Sequence, residues 1–127
     1  MPNQQQLDLL QQGIPETWNR WRLDHPDLPL DLDEADLNGF QLGGFNLSYA
    51  HLDGADLNST DGNNADLSHA ILIGANLSGA NLAGADLSYA DFSGANLSKT
   101  YLRGAKLSGA TITADQLKQA RPSRDSL

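Results

Sequence analysis

A large apolar residue recurs at every fifth position from Leu32 to Ile112 in 16 of 17 units, and it is Leu in most of them. The residue two positions earlier is small: it is Ala in 12 units and Thr in two more. The remaining positions are mostly Asp, Asn, Ser and Gly, and residues 75–79, Ala-Asn-Leu-Ser-Gly, show the unit most clearly. One register therefore organises residues 30–114, and this internal repeat predicts the fold.

The five-residue period excludes a straight helix and a flat strand. On a helix, five steps of about 100° rotate each Leu by roughly 140° from the last, so that the series covers every face. On a flat strand, an odd spacing places successive Leu residues on opposite faces. The pattern is consistent only if the chain bends after each unit, with every Leu facing a common axis. The sequence therefore predicts a solenoid in which each unit forms one side.

The bend is predicted at the second position after each Leu, which is Gly in nine of the 17 units. A type II turn needs a positive φ at its second central residue, and Gly adopts that φ without steric cost. Where Tyr49, His69, Tyr89 or Lys99 fills this position, we expect a different turn type. Successive coils should stack about 4.8 Å apart and pair as a parallel ladder.

Units such as residues 35–39, Ala-Asp-Leu-Asn-Gly, resemble the pentapeptide-repeat family, whose consensus is A(D/N)LXX. The resemblance covers 85 of the 127 residues. It implies an all-β solenoid, specifically a right-handed quadrilateral parallel β-helix with four sides per coil. Such an array would have about four coils and a length of roughly 20 Å.

Residues 1–29 are predicted to form an N-terminal helical cap and leader, because the open end of a solenoid needs covering. Asn3 can cap a short helix that Gly13 ends. A second helix would carry Trp18 and Trp21, which with Ile14 should cover the first coil. Larger residues replace the small inward residue of that coil: Leu30, Phe40 and Phe45. The run from residue 14 to 22 also resembles a leader found on cyanobacterial members of the family.

Residues 30–114 form the predicted β-helix, and residues 115–127 the predicted C-terminal capping helix and tail. Thr113 and Gln116 have the spacing of a capping box at the start of that helix. We expect Leu117 to face the last coil. From Pro122 onward the sequence predicts a disordered polar tail.

Gly62 stands where the register requires a Leu, with Leu42 one coil below and Leu82 one coil above. The missing side chain should leave a void or a local collapse, at a cost of about 2–5 kcal/mol by analogy with large-to-small core changes. Two interpretations stay open: repeat decay at a tolerated site, or a dent that admits a partner side chain.

The net charge of −8 is unevenly distributed. Residues 23–98 contain 12 acids and no Lys or Arg, whereas residues 99–124 contain six basic residues and one acid. Nucleic-acid binding through the acidic body is disfavoured, because phosphate recognition needs Lys and Arg. The opposite charge of the two ends is compatible with a monomer or with weak head-to-tail association.

Catalytic and metal-binding constellations are not found in the sequence. There is no Cys, and His25, His51 and His69 lack a close metal-ligand spacing. No Ser has a His and an acid placed to activate it. We therefore expect no enzyme activity, no cofactor and no metal.

Stacking of coils predicts two columns that form a possible partner surface. Tyr49, His69 and Tyr89 would lie above one another on the outside of the solenoid. Asp36 and Asp56 would begin a second column, which Asn76 and Asn96 continue.

The predicted function is a non-catalytic rigid interaction or scaffold module for an unknown protein partner. The alternative follows from the resemblance: some family members mimic duplex DNA and bind a type II topoisomerase such as gyrase. The amino terminus lacks the pattern of a signal peptide, and no apolar run approaches the roughly 20 residues of a membrane span. We therefore expect a cytoplasmic protein with no membrane contact.

Overall fold

In the computed structural model, which describes residues 2–120, the chain winds into a four-sided parallel β-helix. Its β-structure consists of isolated parallel bridges at every fifth residue, and each joins residues 20 positions apart, from Asp31 with His51 to Asp91 with Thr111. Four five-residue sides therefore make one coil. The central residues point inward as predicted, since Leu77, Leu82 and Leu87 are buried.

Backbone hydrogen bonds explain why the unit has five residues. In residues 75–79, the N–H groups of the second, third and fifth residues donate to neighbouring coils, at 2.9, 2.8 and 3.0 Å. The N–H group of the first residue closes the preceding turn on the carbonyl oxygen of Leu72 at 3.0 Å. The fourth residue, Ser78, donates instead to Oδ1 of Asn76 at 3.0 Å. Every backbone donor of the side is thus satisfied, as a packed backbone requires.

The sixteen corners of the solenoid share one backbone conformation. All have a positive φ at the second position after the inward residue, and seven of these residues are not Gly: Glu34, Tyr49, Ser59, Asn64, His69, Tyr89 and Lys99. Tyr49 has φ 63°, and its turn keeps the hydrogen bond from Ala50 N–H to Leu47 carbonyl oxygen at 3.1 Å. The prediction of a different turn at the non-glycine corners is therefore wrong. The ladders on both sides of each corner impose a φ that costs a non-glycine residue about 1–2 kcal/mol.

Two helices cover the amino end, α1 (Gln4–Gln11) and α2 (Pro15–Asp24). Trp18 is fully buried and stacks on Phe45 of the first coil, with 6.1 Å between ring centroids. Trp21 stacks on Trp18 at 5.3 Å. Ile14 is 46% exposed, so the prediction that it covers the coil is wrong. It holds the N-cap position of α2 in an extended conformation, outside the face that packs.

The same cap satisfies polar groups at the edge of the first coil. The indole N–H of Trp18 donates to the carbonyl oxygen of Asn46 at 2.7 Å, and Arg22 Nη1 donates to the same oxygen at 2.8 Å. The side-chain oxygen of Asn19 accepts the N–H of Asn46 at 2.8 Å. The cap therefore replaces both the apolar contacts and the hydrogen bonds of a preceding coil.

A short helix, α3 (Ala114–Gln119), follows the last coil. The predicted capping box between Thr113 and Gln116 is present. Gln116 also donates through Nε2 to the carbonyl oxygens of Phe92 and Ala95, at 2.7 and 3.1 Å. Leu117 is 44% exposed, so the prediction that it faces the coil is wrong: the buried contact is made by the amide of Gln116. The predicted tail from residue 122 lies outside the described residues.

Gly62 is buried, and the space beside it is occupied by Leu82. A Cβ atom placed on Gly62 would lie 2.8 Å from Cδ2 of Leu82. The predicted outcomes were a void or a local collapse, and this contact corresponds to the collapse. The φ of Gly62 is not positive, so the backbone at this position does not require glycine.

We expect Gly62→Leu to raise the melting temperature by a few degrees. Burying a Leu side chain contributes about 1.5–3 kcal/mol, whereas moving Leu82 out of the space costs about 0.5–1.5 kcal/mol. Gly62→Ala is the matched control, because it creates the same close contact but buries little, and it should give no gain. Thermal unfolding measures both. A Leu variant less stable than the wild type would show that the side chain of Leu82 cannot move out of the space beside residue 62.

Candidate partner surface

The aromatic column consists of Tyr49, His69 and Tyr89, which the structure stacks as the sequence predicts. Ring centroids of Tyr49 and His69 are 4.5 Å apart with planes 3° from parallel, and those of His69 and Tyr89 are 5.0 Å apart at 11°. Tyr49 is 63% exposed and Tyr89 is 60% exposed. That these rings bind a partner remains a prediction.

Corner geometry holds the aromatic column in place. Its three members have φ between 61° and 63°. Each ring lies against the corner of the next coil, and the last ring, that of Tyr89, covers Gly109. A Cβ atom on Gly109 would overlap the ring of Tyr89. A side chain at Gly109 would therefore require the ring of Tyr89 to move.

The isoleucine pair, Ile71 and Ile73, lies on the side that begins at the aromatic column. Ile71 bridges His51 in the coil before and Asp91 in the coil after, and Ile73 is 42% exposed. Sequence reasoning did not select these residues. The signal was present, because this is the only unit with a branched aliphatic residue at both outward positions, where other units have mostly Asp, Asn or Ser.

A groove of about 290 Å³ adjoins the amino end of the aromatic column. Tyr49 and His51 form its solenoid wall, and Leu28 and Pro29 of the leader form part of the opposite wall. Arg22 also lines it, and burial lowers the pKa of its guanidinium while Asp66 raises it. The groove extends the exposed apolar surface from the aromatic column to the leader.

Asp36 and Asp56 form the second predicted column, but the structure does not bring them beside the aromatic rings. Asp36 and Asp56 form a bridge on the side that follows the side of Ile71, so that a whole side of the coil separates them from Tyr49. Their Oδ1 atoms accept the N–H groups of Asn38 and Asn58, at 3.1 and 2.9 Å. These carboxylates therefore stabilise the backbone conformation of their own units.

This hydrogen bond recurs in ten units and explains the (D/N) of the repeat. In each, Oδ1 accepts the N–H two residues on, and the acceptors are Asp36, Asn46, Asp56, Asp61, Asp66, Asn76, Asn81, Asp86, Asp91 and Asn96. The sequence predicted polar outward residues at these positions, and a possible partner surface at Asp36 and Asp56, but not this hydrogen bond. Their spacing from the turn was the available signal, since Asp and Asn favour such local bonds.

Local hydrogen bonds and burial shift three carboxyl pKa values. The Ser88 hydroxyl, together with the backbone N–H of Ser88, lowers the pKa of Asp86, and Ser93 does the same for Asp91. Burial raises the pKa of Asp53, and the neighbouring Asp33 raises it further. Oδ1 of Asp53 is buried without a hydrogen-bond donor among residues 2–120.

The three histidines make different contacts. His25 stacks on Trp21 at 4.8 Å, His51 lines the groove, and His69 is in the aromatic column. Within the described part of the chain, no group of three or more His, Cys, Asp or Glu side chains is placed to hold a metal ion. Over the same residues, no helix has the length and apolar character needed to cross a membrane.

A family model for pentapeptide repeats matches the sequence with eight copies, over residues 31–61, 44–79, 63–98 and 75–113. The chain belongs to the pentapeptide-repeat family. Members of this family form right-handed quadrilateral β-helices, and the bridges between residues 20 positions apart describe the same four-sided coil.

Solved structures of other pentapeptide-repeat proteins are similar to this chain. One from the Arabidopsis thaliana thylakoid lumen is 31% identical, with 75% of this chain and 69% of that chain covered and a TM-score of 0.60. One from Nostoc PCC 7120 is 35% identical, with 76% and 74% covered and a TM-score of 0.56. No curated protein matches the sequence.

QnrB1, a plasmid-mediated fluoroquinolone resistance protein, is more distant. It is 21% identical, with 70% of this chain and 61% of that chain covered and a TM-score of 0.38. A similarity at this level supports no shared activity.

We expect Asp53→Asn to stabilise the protein at pH 7. A raised pKa means that the ionised carboxylate destabilises the folded state, and this penalty is present at neutral pH and lost as pH falls through the pKa. The gain should therefore shrink as the pH approaches about 3. Denaturant unfolding at several pH values measures it.

Asp86→Asn is the matched control with the opposite sign. Because the pKa of Asp86 is lowered, its ionised carboxylate stabilises the folded state at any pH above the ordinary pKa of Asp. This stabilisation is lost as the pH falls through the lowered pKa. The substitution should therefore cost stability at pH 7 and little in acid. Equal effects of the two substitutions at pH 7 would contradict the assignment.

Proposed function

We propose that the protein is a non-catalytic, rigid interaction module that binds a protein partner through the column face. The column face comprises the aromatic column, the isoleucine pair and the adjoining groove. The observation that supports it is the exposed stack of Tyr49, His69 and Tyr89 beside Ile71 and Ile73, on a repeat surface that is otherwise mostly polar. Contiguous exposed apolar groups of this kind mark interaction sites.

Rigidity makes this surface suitable for binding. Stacked aromatic rings gain about 0.5–1.5 kcal/mol per pair beyond their burial, so the column is ordered before a partner arrives. Tyr also offers a large contact area with few rotatable bonds, and it is enriched at the energetic centres of interfaces. A partner would therefore bind with little loss of side-chain entropy.

Mimicry of duplex DNA is not part of the proposal, because no observation favours it. Six carboxylates of the solenoid already accept a backbone N–H group within their own units, and they are spread over all four sides: Asp36, Asp56, Asp61, Asp66, Asp86 and Asp91. Inhibition of gyrase supercoiling by the purified protein would favour the mimic over the module.

The test is a triple variant, Tyr49→Asn, Tyr89→Asn and Ile73→Ser. Each new residue is one that the repeat already uses at the equivalent position, as in Asn64 and Ser78, so the coil should fold unchanged. The folded protein and the variant serve as baits in the native cell extract. We expect specific partners of the wild type to be lost from the variant.

Leu23→Ser is the control, because Leu23 is 76% exposed on the cap and is not among the residues that line the groove. It removes exposed apolar area and should retain the partners. Retention of the same partners by the triple variant, with its circular dichroism and melting unchanged, would contradict the proposed surface.

A further inference from the structure

Residues 2–120 cover only part of the perimeter at the carboxyl end of the solenoid. Two sides of the last coil, residues 100–104 and 105–109, form what we call the open edge. Their inward residues Leu102 and Leu107 are partly exposed, whereas the equivalent Leu82 and Leu87 one coil earlier are 2% and 0% exposed. Helix α3 packs elsewhere, through Gln116.

Backbone donors of the open edge also lack acceptors. One coil earlier, the four equivalent N–H groups donate to the open edge's carbonyl oxygens at 2.8–2.9 Å, from Leu82, Gly84, Leu87 and Tyr89. On the open edge itself, the corresponding ladder N–H groups donate no hydrogen bond within residues 2–120: those of Leu102, Gly104, Leu107 and Gly109. The N–H groups of Arg103 and Ser108, which face outward, donate none within these residues either. Such a row of donors is a template for one more strand.

Two exposed cations flank these donors. Arg103 lies on the outer surface of the first open side and Lys106 on that of the second. Lys106 bridges Asp86, which bridges Asp66, so this column already pairs a cation with an acid across coils. Opposite charges facing each other across strands contribute about 0.2–1 kcal/mol. A further strand on this edge is therefore favoured if it places carboxylates beside Arg103 and Lys106.

We propose that the open edge binds an extended acidic segment of a partner protein, which adds as a further parallel strand. The segment repeats the order small, polar, large apolar along each side. Its apolar side chains cover Leu102 and Leu107, and its carboxylates pair with Arg103 and Lys106. Its carbonyl oxygens accept the four ladder N–H groups that have no acceptor within residues 2–120. Strand addition of this kind draws affinity from the backbone and specificity from alternate side chains. This surface is separate from the column face.

Two other occupants fit the open edge less well. The open edge of a second copy carries the same cations, and at the amino end Trp18, Asn19 and Arg22 already occupy hydrogen-bonding groups of the first coil. The chain beyond residue 120 has two Arg and one Asp, and so has a net positive charge.

The chain supplies its own probe peptide. Residues 50–59, Ala-His-Leu-Asp-Gly-Ala-Asp-Leu-Asn-Ser, have the required order. When the peptide is aligned with residues 100–109, the residue that corresponds to Asp53 lies beside Arg103, and the one that corresponds to Asp56 lies beside Lys106. A synthetic peptide of this sequence is titrated into the full-length protein labelled with ¹⁵N. We expect shifts and slowed hydrogen exchange at the amides of Leu102, Gly104, Leu107 and Gly109.

Charge is tested from both sides of the contact. A peptide with both Asp changed to Lys should not bind. The protein variant Arg103→Gln, Lys106→Gln should bind the original peptide about two- to tenfold more weakly. An Arg20→Gln variant, which removes a cation from the cap, should bind it unchanged.

Several outcomes would overturn the proposal. Absence of shifts at the open edge, or equal binding of the Lys peptide, excludes acidic strand addition. Slow exchange of the four amides in the free protein shows an existing occupant: the chain's own residues beyond 120 if it is independent of protein concentration, and a second copy if it rises with concentration. Self-association of the double Gln variant without peptide binding by the wild type shows that the cations only keep copies apart.

Discussion

The hydrogen bond from a backbone N–H to the Asp or Asn side chain two residues earlier completes the backbone pairing of ten sides of the solenoid. Ladders and turns satisfy four of the five N–H groups in a unit such as residues 75–79, and Oδ1 of Asn76 satisfies the fifth. Inward Leu and Ala residues supply the burial. Where all of these contacts are present, as in residues 75–79, the chain turns a corner without leaving a backbone donor of that side unpaired.

We expect binding surfaces where residues depart from the repeated pattern of burial and backbone pairing. Tyr49, His69 and Tyr89 fill corners that Gly would fill at lower conformational cost, and they gain a stacked, exposed surface. Ile71 gives up the side-chain acceptor and leaves apolar surface in its place. On two sides of the last coil, the inward Leu residues are partly exposed, and ladder N–H groups have no acceptor within residues 2–120. Departures of this kind in a regular array separate candidate binding surfaces from scaffold.

The Leu register and the capping box at Thr113 could be predicted, because both depend on local spacing. The corner at Tyr49 could not, since its intrinsic φ preference is overridden by ladders on both sides. Ile14 and Leu117 were misassigned because apolar character alone does not show which face of a short helix packs. In each cap polar side chains, such as Gln116, satisfy backbone carbonyls, and this need appears only once the coil edge is known.

Amide hydrogen exchange at Ser78 and Ile73 tests the side-chain acceptor most directly. Both amides follow an inward Leu within the same coil, but Ser78 donates to Asn76, whereas Ile73 has no acceptor among the described residues. After correction for intrinsic rates, Ser78 should be protected to nearly the level of the ladder amides, and Ile73 should exchange much faster. Equal protection of the two amides would contradict the claim that Asp and Asn side chains complete the backbone pairing of the sides that carry them.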